Sequence, residues 1–112
     1  MSLMVSAVTR NVVFWDYINQ PTDMIEQFIG TITDDDLRII LPDIKQWNLN
    51  MLGFLDYAEN TVFNRKQVDK LRPELEILKK NSMVRKEVIR IIEKGIEMVA
   101  DSNCLYLKFD CD

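Results

Sequence analysis

Carboxylates are the most concentrated chemistry in this chain. Asp34, Asp35 and Asp36 follow one another, with Asp23 and Glu26 a short way upstream. Grouped acids can hold a hard divalent cation or divide acid–base work between them. They also suit a helix start, because carboxylates favour the positive end of the helix dipole and Thr33 can cap it. The structural use is the expected one. An EF-hand is excluded, since its glycine and closing glutamate are missing at the required offsets. The chain has no histidine, which excludes Ser-His and Cys-His nucleophile pairs and every histidine-based zinc site. Gly30, Gly53 and Gly95 stand too far apart for a phosphate-cradling loop. Cys104 and Cys111 are the only cysteines. On a strand, residues at that odd spacing face opposite sides, so two reduced thiols are expected rather than a disulfide. No catalytic residue, metal ligand or cofactor is assigned, and the chain is not expected to be an enzyme.

Aromatic residues offer contact rather than catalysis. Trp47 falls on an apolar helical stripe and is expected in the core. Trp15 and Tyr17 are better candidates for anchoring a partner, as tryptophan and tyrosine are enriched at binding hot spots. Charge is uneven along the chain. Residues 1–56 carry a net −5 and residues 57–112 a net +1, within an overall −4. Residues 65–94 hold ten basic and five acidic side chains. The interleaved acids point to a salt-bridged, solvated face, and overall acidity argues against nucleic acid as the main partner.

The elements that must position these groups read as helices. Val84, Val88, Ile91, Ile92 and Val99 recur at helical spacing over 83–100, with Ser82 as cap. Gly95 lies inside that stripe and predicts close approach by a neighbouring helix. Val68, Leu71, Leu75 and Leu78 line another helical stretch. Pro73 implies either a helix over 65–72 capped by Asn64 followed by a second, or one kinked helix. Residues 22–32 read as a helix with Asp23 and Glu26 as a capping box and Ile25, Phe28, Ile29 and Ile32 on one face. Thr33 starts the next helix, which ends at Pro42. Pro42 opens another, with Ile44, Trp47, Met51, Leu55, Ala58 and Val62 at near-heptad rhythm. Val5, Val8, Val12 and Trp15 slightly favour a helical N-terminus, against the β-rich composition of Val12–Tyr17. Leu105, Leu107 and Phe109 alternate with more polar residues at the strand period.

The expectation is a mainly α protein, a compact bundle of about five short helices with a short C-terminal β-strand. One helical domain is expected over 4–112, with Met1-Ser2-Leu3 read as an added leader without structural weight. No stretch is apolar enough to span a membrane, so a cytoplasmic location is expected. The expected function is that of a small acidic protein-binding module. It would be an inhibitor or immunity-type protein masking a basic partner through Asp23, Glu26, Asp34, Asp35, Asp36, Trp15 and Tyr17. The alternative is a small dimeric regulator touching nucleic acid through the basic 65–94 face. A homodimer through Leu105–Phe109 is a further expectation, because a lone strand needs a partner for its backbone groups.

Overall fold

The computed structural model of the chain describes residues 2–11, 23–55, 59–100 and 104–111. Four strands, β1 (Ser2–Asn11), β2 (Asp23–Thr33), β3 (Thr61–Asn64) and β4 (Cys104–Cys111), form one sheet. Their order is β2-β1-β4-β3, and every neighbouring pair is antiparallel. Among the described residues, three α-helices, α1 (Asp34–Trp47), α2 (Arg65–Leu78) and α3 (Lys86–Ala100), accompany the sheet. The architecture is therefore mixed α and β, and the expected all-helical bundle is wrong.

The error is largest at β1 and β2. In β1, Leu3, Val5 and Ala7 are buried in the main core at the strand period. Leu3 is fully buried and pairs with Ile32 and Cys111, so it carries structural weight within the sheet. In β2, a bulge leaves Ile29 without a register partner: Val5 faces Gly30 while Ser6 faces Phe28. One extra residue breaks the alternation. It turns Phe28 outward and leaves Gly30 and Ile32 inward, which imitates helical spacing in sequence. The capping box expected from Asp23 and Glu26 does not exist, because both residues lie in this strand. Val12–Tyr17 lie outside the described residues.

The C-terminal strand forms as read. Leu107 and Phe109 are fully buried, and the Phe109 ring meets Phe63 of β3 edge-on at 5.6 Å. β4 is an inner strand, however. Its Tyr106–Phe109 stretch pairs with β1 on one side and β3 on the other, so no free backbone edge remains there for a second copy.

α1 starts where the acids predicted, but it runs through Pro42 and ends at Asn48, whose φ of 52° is left-handed. α2 likewise passes through Pro73 as one helix, with Asn64 as cap. Both prolines are exposed, so the carbonyls each leaves unbonded lie toward water. The rhythm read across Ile44–Val62 breaks at Asn48, a 3-10 turn follows at Leu52–Phe54, and Val62 belongs to β3. Trp47 consequently sits at the helix end and is 55% exposed, not in the core. α3 begins at Lys86 rather than after Ser82. The preceding turn is held by Asn81, whose side-chain oxygen accepts from the Met83 N–H at 2.9 Å.

The helices cover one face of the sheet. α3 is seated on it by two glycines. A Cβ on Gly30 would lie 2.6 Å from both Cγ1 and Cδ1 of Ile91, and one on Gly95 would lie 2.8 Å from Leu107. Gly95 therefore admits a strand side chain rather than a neighbouring helix.

Candidate functional site

The acidic run is divided by its own helix. Thr33 and Asp36 form a reciprocal capping box: the Thr33 N–H donates to Asp36 Oδ2 at 2.9 Å, and the Asp36 N–H donates to Thr33 Oγ1 at 3.2 Å. Asp36 is only 3% exposed. Arg85, from the turn before α3, donates to both of its oxygens, at 2.7 and 2.6 Å. This planar two-point contact ties the start of α1 to the start of α3. Asp35 is exposed and pairs with Arg38 on the same helix at 3.3 Å. Asp34 opens α1. Asp36 therefore holds the fold together, leaving Asp35 as the member turned to solvent.

The Arg85 hydrogen bonds hold the Asp36 carboxyl below the usual carboxylate range; burial opposes this, and Thr33 adds to it. A carboxyl lowered by folding adds stability above its unfolded-state value and loses it as pH falls through the folded one. Asp36→Asn is therefore expected to be less stable than the parent at neutral pH, with the deficit narrowing below about pH 4. Denaturant titrations across that range check this. A deficit that stays constant with pH would show that the ion pair is not its source.

The sheet face away from the helices carries the exposed Phe28, Val62 and Met4 beside the buried Ser6 and Val8. Cross-strand register assembles it in rows. Phe28, Ser6, Lys108 and Val62 lie side by side across all four strands. Thr31, Met4 and Asp110 form the next row, and Glu26, Val8, Tyr106 and Asn64 the row on the other side. Phe28 is 60% exposed, Val62 47% and Met4 44%. Lys108 reaches Glu26 at 2.6 Å and Asp110 at 3.1 Å. Since β1 lies between β4 and β2, the lysine stem crosses over β1, where Ser6 and Val8 are buried. The hydrogen bonds to Glu26 and then Asp110 raise the Lys108 pKa above its ordinary value. The result is a mixed face on which the exposed Phe28, Val62 and Met4 stand beside one ionic strap.

A concavity of about 300 Å³ lies between the C-terminal ends of α1 and α2, lined by Asp43, Trp47, Ile77, Lys80 and Asn81. Its rim is partly fixed, since Asn81 Nδ2 donates to Asp43 Oδ2 at 2.8 Å.

Of the seven residues singled out in the sequence, Glu26 falls on the open sheet face, while Asp34, Asp35 and Asp36 cluster at the start of α1. Asp23 begins β2. Trp15 and Tyr17 lie outside the described residues. Sequence reading missed Met4, Phe28, Val62 and Lys108 as surface residues. Only the outward positions of correctly assigned strands could have revealed them. The basic stretch is substantially ion-paired: Arg72 with Asp69, Lys79 with Glu76 and Glu93, Arg85 with Asp36, and Arg90 with Glu87. Among the described residues, no group of three His, Cys, Asp or Glu side chains could hold a metal ion, and no helix is long and apolar enough to cross a membrane. No protein-family model, curated protein or solved structure matches the chain.

Proposed function

We propose that this protein is a small acidic binding module that masks a basic protein partner, in the manner of an inhibitor or immunity-type protein. The observation that carries this reading is the open sheet face, where Phe28, Val62 and Met4 stand exposed in adjoining rows around the Lys108–Glu26 strap. Large apolar side chains grouped on a rigid sheet are suited to contact, and the rigid backbone lowers the entropy cost of docking. A cationic partner is favoured because the chain carries a net −4, which speeds encounter with an oppositely charged surface. Glu26 and Asp110 supply carboxylates on the same face. The module would act in the cytoplasm with both cysteines reduced.

The test is affinity capture from the native cell by the tagged full chain, at low and high salt, alongside a Met4→Ser/Val62→Ser variant. The expected result is one basic protein, retained at low salt, released at high salt and absent from the variant. Equal capture by the variant would remove the sheet face from the proposal. Recovery of nucleic acid in place of protein would overturn it in favour of the basic 65–94 face.

A further inference from the structure

We propose that two copies of this chain join through the outer edge of β2, aligning their sheets into one continuous eight-stranded sheet. β2 is the outermost strand, and among the described residues no strand pairs with its outer side. An edge strand presents a row of unpaired N–H and C=O groups, which proteins ordinarily protect with charges, prolines or short length. The opposite edge follows that pattern: β3 spans only Thr61–Asn64 and leads directly into α2. β2 spans eleven residues. From Gln27 to Thr33 it contains no charged residue and no proline. The acid just before this run, Glu26, is engaged by Lys108 at 2.6 Å.

The same composition selects the occupant. A basic strand would find no carboxylate to pair with along 27–33. A second copy presents the same uncharged run, so neither like charges nor unpaired ones meet. A two-fold axis makes identical strands antiparallel, the arrangement already used throughout this sheet. An axis beside Gly30, the middle of the run, would lay the two uncharged runs opposite each other and keep each exposed Phe28 within the new ladder. The bulge at Ile29 shortens the straight run and adds twist to it.

The experiment is sedimentation of the intact chain over a wide concentration range, paired with amide hydrogen exchange and repeated on Phe28→Lys and Gln27→Lys. Both side chains are exposed, so the variants should keep the parent circular dichroism. The expected result is a monomer–dimer equilibrium, with amides of 26–33 more protected at high concentration. Each lysine should raise the dissociation constant by about tenfold or more. A monomer at every concentration would overturn the proposal, as would a dimer whose strength neither lysine changes. Neither outcome bears on capture of a basic partner, which is read on Met4 and Val62.

Discussion

Glu74→Ala is expected to lose about 2–4 kcal/mol of folding stability, through the backbone donors it would leave unanswered. Glu74 lies on α2 and is buried, an unusual position for a carboxylate. Its two oxygens reach back to the preceding 3-10 turn: the Met51 N–H donates to Oε2 at 3.0 Å and the Leu52 N–H to Oε1 at 2.9 Å. Met51 and Leu52 are buried as well, so those amides cannot turn to water. The contact fixes the connection that carries the chain from α1 toward β3. Glu74→Gln keeps one acceptor but points an amide N–H₂ at one of the donors, so it should lose less than alanine but more than half as much. Urea unfolding of the three proteins checks the order. If glutamine proved equal to the parent, the charge and the second acceptor would both be dispensable. If alanine did, the turn would not depend on Glu74.

Gly30→Ala is the second large effect, expected to cost about 1–3 kcal/mol by overpacking. The new Cβ would fall 2.6 Å from Cγ1 and Cδ1 of Ile91. Ile91 is fully buried, and Cγ1 lies too near its backbone to swing clear, so α3 or β2 must shift. Gly95→Ala should be milder. Its close neighbours are the terminal methyls of Leu107, and alanine recovers about 1 kcal/mol of helix propensity. Shortening Ile91 should relieve the first clash. In an Ile91→Ala background, Gly30→Ala is expected to cost little, and the double-mutant cycle should show strong coupling. Additive losses would mean that Gly30 is required for the bulged strand itself rather than for the seat of α3.

Local chemistry was legible without the fold. Thr33 with its three acids starts α1, Asn64 caps α2, the stripe from Val88 to Val99 builds α3, and the alternation of Leu107 and Phe109 makes a strand. Each is set by neighbours a few residues apart: a cap, a dipole, a repeat. The Thr33 cap was legible too, but not that Asp36 would complete a capping box with it, nor that Asp36 would be held by Arg85, forty-nine positions away. The open sheet face was hidden more deeply, since it exists only once β1 and β2 are recognised as strands.

What the sequence by itself determined is where α1 and α2 begin, what chemistry is missing for want of histidine, and that the chain is acidic. Tertiary structure alone decided that the first and second segments are strands. Their apolar residues fit either period, and the bulge at Ile29 gives β2 a helical rhythm. The choice was made by β4. Its Leu107 and Phe109 need backbone partners as well as burial, and β1, once paired with it, carries β2 into the sheet. Unpaired backbone groups inside a core are too costly to leave. Hydrogen bonds between distant segments therefore overrode local preference, and in doing so exposed Phe28, Met4 and Val62 on the outer face.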